Sequence, residues 1–186
     1  DAASGQEVWR TEVGVHRNDT LDELPADGEV EVYPGILGGV ATPMAYADGT
    51  LYVPVVDVPT THTATGHGAA DATEAYRNAL ERTPLDEGGG AMVAIDAASG
   101  DVIWRRGFES PLFGAATVSG DLVFTATRAG VMHALERASG EPFWAYRAPA
   151  GIMASPAIAH DTIVWAAGVG DEAQLLALRL DAGTDE

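Results

Sequence analysis

Ala94 to Trp104 reads AIDAASGDVIW. The chain opens on nearly the same phrase, DAASGQEVW over Asp1 to Trp9, and returns to it as ERASGEPFW over Glu136 to Trp144. An acid, a Ser, a Gly and a closing Trp keep their spacing in every copy: Asp1, Ser4, Gly5 and Trp9; Asp96, Ser99, Gly100 and Trp104; Glu136, Ser139, Gly140 and Trp144. The phrase has the chemistry of a hairpin. Strand-like runs, MVAID and MHALE, lead into a turn where Asp or Ser can cap backbone N–H groups. Gly supplies the positive φ that closes the turn, and DVIW or EPFW leads out.

Trp104 and Trp144 stand 40 residues apart, the length of a four-stranded propeller blade. Trp9 and Trp104 stand 95 apart, which fits one blade with a long insertion, or two blades with little between. The first is adopted here, because only one other strand pair is legible in that interval. In a radial array each sheet covers the face of its neighbour, so a large aromatic at a fixed place in every blade can serve as a wedge between sheets.

These repeats predict an all-β chain: a partial propeller of about three four-stranded blades, with one short inserted helix. Residues 1–10 form an outer strand of a blade (Gln6 to Arg10), and 11–35 an acidic linker crossing between blades. Residues 36–106 form a blade interrupted by an insertion over 58–90, and 107–146 a complete blade. Residues 147–181 form a blade without its outer strand. Within the second unit, turns are expected at Ser119-Gly120-Asp121 and Ala129-Gly130, and in the first at Asp48-Gly49. Closed rings usually need four to eight blades. The expectation is therefore that missing blades of the same propeller, or another copy of the chain, complete the ring. The absent initiator Met favours the fragment.

The pattern Ala-x-Asp-x-x-Ser/Thr-Gly-x-x-x-Trp resembles that of the pyrroloquinoline-quinone-like (PQQ-like) repeat propellers. It is carried by Ala94, Asp96, Ser99, Gly100 and Trp104, by Ala134, Ser139, Gly140 and Trp144, and by Asp1, Ser4, Gly5 and Trp9, with Glu136 replacing one Asp. The resemblance covers roughly residues 36 to 180 and the first ten. It implies the fold and two possible occupations. Some members are quinoprotein dehydrogenases that hold the quinone and Ca²⁺; others are scaffolds related to an outer-membrane assembly lipoprotein and hold neither. The adjacent Cys pair of the larger alcohol dehydrogenases has no counterpart, since the chain has no Cys. No catalytic residue carries over by motif. The expectation is a non-catalytic binding or assembly module without a bound cofactor. Its alternative is part of a PQQ-dependent dehydrogenase oxidising alcohols or sugars, with PQQ and calcium.

Composition narrows the partners. The formal net charge is −18, from 28 acidic and 10 basic residues, and every basic residue is Arg. Such a surface repels nucleic acid and anionic membranes, whose recognition needs clustered cations. No apolar run approaches the length of a membrane-spanning helix. Acid enrichment without Lys fits a halophilic source, where salt screens the self-repulsion; a GC-rich genome gives a similar bias. An extracytoplasmic or cell-surface location follows from the resemblance.

The insertion contains the remaining candidates. His62 and His67, with Asp57 or Asp71, could supply imidazole and carboxylate ligands, but a spacing of five in an irregular loop fixes no geometry and no metal is assigned. Ala72, Ala75, Tyr76, Ala79 and Leu80 form one apolar stripe of a short helix ended by Pro84, with Tyr76 expected against the propeller surface. Tyr33 to Pro43, YPGILGGVATP, lacks the ending of a phosphate loop, and Gly35, Gly38 and Gly39 are expected to let the chain pass close to the axis. His16, His133 and His160 are isolated; His133 reads as a blade histidine. Arg105 and Arg106 read as solvated or acid-paired.

Overall fold

The computed structural model describes residues 1–63, 72–168 and 173–179. His67, Asp71 and the terminal DAGTDE lie outside the described residues. The first blade is the antiparallel sheet β2 (Ala45–Ala47), β3 (Thr50–Asp57), β5 (Gly89–Asp96) and β6 (Val102–Phe108), in that spatial order. Between β3 and β5 the chain makes β4 (Thr60–Thr63) and α1 (Ala72–Glu81). The second blade follows as β7 (Thr117–Ser119), β8 (Leu122–Ala126), β9 (Val131–Glu136) and β10 (Pro142–Arg147), and the third as β11 (Ala157–Ala159), β12 (Thr162–Ala167) and β13 (Gln174–Arg179).

Three sheets follow one another as the 40-residue period requires. The middle strands are Val- and Ala-rich because both their faces are covered. Tyr52 and Met92 pack with Leu112, Val123 and Leu135 toward the second blade. Their neighbours Val53, Val55, Ala91 and Val93 pack on the opposite face with Trp9 and Val13. A period of two thus divides one strand between two cores. The second seam repeats the plan with Met132, Ala148 and Ile152 against Trp165. The short first strands approach one another: β2 lies beside β7, and the Ala116 N–H donates to the Pro43 carbonyl across the seam at 3.0 Å. They mark the near-axis side, and β6 and β10 the rim.

Four local expectations give way to other arrangements. Gln6 to Arg10 is irregular rather than a strand; a strand needs a ladder for its backbone groups, and this segment is held to the first blade through side chains instead. The acidic linker contributes β1 (Glu29–Val32), which pairs antiparallel with β4 of the insertion, Val30 opposite His62. Linker and insertion therefore share a small sheet. Helix α1 forms where the apolar stripe places it, with Ala79 buried, but Tyr76 remains half exposed. Gly35 and Gly38 do mark a close approach, yet its partner is the backbone at the end of β3: the Gly35 N–H donates to the Val58 carbonyl at 2.8 Å, and an added Cβ would meet the Pro59 and Thr60 backbone at 2.5 Å.

Candidate functional site

The repeated phrase builds its own turn first. Asp1 Oδ1 accepts the backbone N–H groups of Ala3 and Ser4 at 3.0 and 2.8 Å. Asp96 Oδ1 accepts those of Ala98 and Ser99, both at 2.9 Å. These donors hold the Asp96 carboxyl below its ordinary pKa, the Ser99 N–H contributing most. In the third copy the longer Glu136 instead accepts the Ser139 hydroxyl at 3.0 Å. All three turns close alike, with Gly5, Gly100 and Gly140 donating to the carbonyls of Asp1, Asp96 and Glu136 at 2.8 Å. Their φ values are +71°, +81° and +74°.

The turn also receives the tryptophan of the preceding unit. Trp9 donates its indole N–H to the Ala97 carbonyl at 3.0 Å, and Trp104 donates to the equivalent Arg137 carbonyl at 2.8 Å. The ring lies flat over the turn glycine. A Cβ at Gly100 would stand 2.7 Å from the Trp9 ring, and one at Gly140 would stand 2.5 Å from the Trp104 ring. The glycine is therefore required twice, by its φ and by the indole above it. One phrase supplies both the wedge and the socket.

Arg137 adds a clamp at the seam between the first and second blades. It follows Glu136 where the other copies have Ala2 and Ala97. Its Nε donates to the Tyr52 hydroxyl at 3.1 Å, one terminal nitrogen to the Gly120 carbonyl at 2.9 Å, and the other to Asp48 at 2.8 Å. Three donors thus bind two blades. Sequence reasoning missed this residue, although its break with Ala in the repeat was the available signal.

The near-axis strands read Ala45-Tyr46-Ala47, Thr117-Val118-Ser119 and Ala157-Ile158-Ala159. They present small, neutral side chains, with Tyr46 65% exposed. The insertion above the first blade is pinned from inside: buried Thr60 and Thr83 share a hydroxyl hydrogen bond at 2.7 Å, the Ile36 N–H donates to Thr60, and the Thr83 hydroxyl donates to the Ala79 carbonyl.

The proposed ligating residues serve different partners. Asp57, at the end of β3, accepts the Val15 N–H at 2.8 Å through one oxygen and faces Arg105 at 3.5 Å through the other. His62 lies on β4, and His67 lies outside the described residues. Among the described residues no group of three His, Asp or Glu side chains could hold a metal ion. His16 pairs with Asp19 at 2.6 Å, which raises its pKa. His160 is a turn residue with φ +53°. His133 is the half-buried one: its ring meets Phe108 at 4.8 Å, and burial, then the charge of Arg106, pushes its pKa down to about 4. Arg105 and Arg106 are both acid-paired, Arg106 to Glu141 at 3.6 Å.

Comparison with known proteins adds family and fold. The PQQ_2 family, described as outer membrane protein assembly factor BamB, matches residues 1–183. A quinoprotein ethanol dehydrogenase of Pseudomonas aeruginosa is 33% identical over 155 residues, which is 76% of this chain and 24% of that protein. A quinohemoprotein alcohol dehydrogenase of Pseudomonas putida is 30% identical over 121 residues, 58% of this chain and 16% of that protein. Among solved structures, the quinohemoprotein alcohol dehydrogenase of Comamonas testosteroni superposes with TM-score 0.56 at 20% identity, over 77% of this chain and 24% of that one. The chain spans about a quarter of the length of the first of these relatives.

Proposed function

The chain belongs to the PQQ_2 repeat family, and from that premise we propose that it is a sector of a larger propeller wall serving as a non-catalytic binding or assembly module. The observation that carries this reading is the neutral near-axis surface of Ala, Thr, Val, Ser, Ile and Tyr on β2, β7 and β11. A redox centre at the axis calls for carboxylates and amides there; a wall that docks other molecules by shape does not. Strand β13, paired only with β12 among the described residues, is an open edge of the kind that further blades or a second copy cover. Given the family description and the dehydrogenase relatives, its place is outside the cytoplasm, and no helix among the described residues is long and apolar enough to cross a membrane.

A second reading rests on the 155-residue match to the ethanol dehydrogenase: the sector would belong to a PQQ-dependent oxidoreductase, with catalytic groups on blades beyond this chain. Titration of the complete gene product with PQQ and Ca²⁺ separates the two. The binding-module reading expects neither bound-quinone absorbance nor dye-linked oxidation of alcohols or sugars. Stoichiometric quinone uptake with such oxidation would overturn it in favour of the enzyme.

A further inference from the structure

The seam between the first and second blades opens at the rim into a cavity of about 670 Å³. Its walls follow from strand alternation. Trp104 enters the turn of the second blade, so Arg106 and Phe108, two and four residues on, face the same way. Opposite them β9 presents Val131, His133 and Leu135, and β10 presents Arg147. The cavity thus joins an apolar floor to two guanidinium groups, in a chain with only 10 basic residues and a net charge of −18.

The charges around it leave those two groups without a short carboxylate partner. Asp86 and Glu109 also border the cavity, but Asp86 is engaged by Arg128 at 2.9 Å. Arg106 meets exposed Glu141 only at 3.6 Å, and Arg147 donates to the neutral Ala129 carbonyl at 3.1 Å. Neither makes the short, bidentate carboxylate pair that guanidinium groups favour. His133 packs at a tilt against Phe108 as part of the floor, ring centroids 4.8 Å apart.

We propose that this seam cavity binds an organic carboxylate with an apolar, aromatic-sized body, its carboxylate between Arg106 and Arg147 and its body against Phe108, Val131 and Leu135. The site lies at the rim, away from the near-axis strands on which the module reading rests, so each can fail without the other.

The test uses the full 186-residue chain with benzoate as probe and benzamide as its neutral counterpart, followed by calorimetry. Benzoate is expected to bind once per chain, benzamide at least about tenfold more weakly, and Arg106→Gln and Arg147→Gln each to weaken benzoate about tenfold, the loss of one charge-assisted hydrogen bond. Arg106→Lys, which keeps the charge, should lose less, and Arg179→Gln, on the third blade, nothing. Circular dichroism confirms that each variant is folded, and Arg106→Lys provides a milder change should Arg106→Gln not fold. Absence of benzoate binding, equal binding of benzamide, or undiminished affinity in both Gln variants would overturn the proposal.

Discussion

At the seam between the first and second blades, Trp104 enters the next turn, Arg106 and Phe108 follow it, and the facing strand offers His133. At the seam between the second and third, Trp144 is followed by Tyr146 and Ala148, and the facing strand offers Leu176. The positions correspond by register: Leu122 pairs with Glu136 and Thr162 with Arg179, so His133 and Leu176 each stand three residues before the matching end. At the corresponding positions the second seam is packed, with Trp144, Ile163, Leu176 and Leu178 around buried Trp165, and Trp144 stacked on Tyr146 at 6.1 Å; its own cavity, of about 320 Å³, lies nearer the turns, between Phe124 and Phe143 of the second blade and Ile158 and Thr162 of the third. The first carries a charge and an imidazole in the same places. The repeated phrase fixes where two blades meet, and the residues flanking it decide where each seam is packed and where it opens.

The largest effect should come from removing the wedge itself. Trp104→Ala deletes a ring that packs on Gly140 and donates to the Arg137 carbonyl, and is expected to cost about 3–5 kcal/mol in urea unfolding. A loss under about 1 kcal/mol would mean that the seam does not depend on the indole.

Next in size is the socket. Gly140→Ala combines φ +74° with a Cβ 2.5 Å from the Trp104 ring, so about 2–3 kcal/mol is expected from strain and displaced packing. Gly120→Ala, at φ +57° with open space around it, isolates the backbone part and should cost about 1–2 kcal/mol. Equal costs in thermal unfolding would show that the indole contact adds nothing.

The third effect is a dependence on pH that belongs to one seam. His133 has its pKa lowered from 6.5 to about 4, by burial first and by Arg106 second. The unfolded chain therefore takes up this proton before the folded one, and the stability held above pH 6.5 declines as pH falls from 6.5 toward 4. The group is partly solvated, so roughly 1–2 kcal/mol is expected rather than the full value of the shift. His133→Leu, which copies the second seam, should flatten that part of the stability curve relative to the parent. Parallel curves would remove His133 as the cause.

The smallest effect sharpens the comparison from the other side. Arg106→Tyr with His133→Leu gives the first seam the composition of the second. A gain of about 1 kcal/mol is expected from the added apolar contact, together with loss of benzoate binding. Calorimetry and urea unfolding of the same sample read both.

Much of this arrangement was legible before any coordinates. The acid-Ser-Gly-Trp spacing placed the three turns and, in the second and third copies, the strands on either side of them, and the stripe from Ala72 to Leu80 placed α1. Other features depend on pairings that sequence distance conceals. The run EVEV at Glu29–Val32 alternates like a strand, but its partner is Thr60–Thr63 in the insertion, and neither segment is apolar enough to announce the other. Gln6 to Arg10 has the composition of a strand yet no ladder. His133 looked isolated in the chain and Arg106 solvated or acid-paired; only the order of the blades shows that they face one another.

The most direct measurement is a chemical-shift map of the full chain on addition of benzoate. Shifts confined to β6, β9 and β10, centred on Arg106, His133 and Arg147, with Trp165 and Leu176 unmoved, are the expected result. Comparable shifts at both seams, or shifts centred on the near-axis strands β2, β7 and β11, would contradict the confinement of the carboxylate site to the first seam.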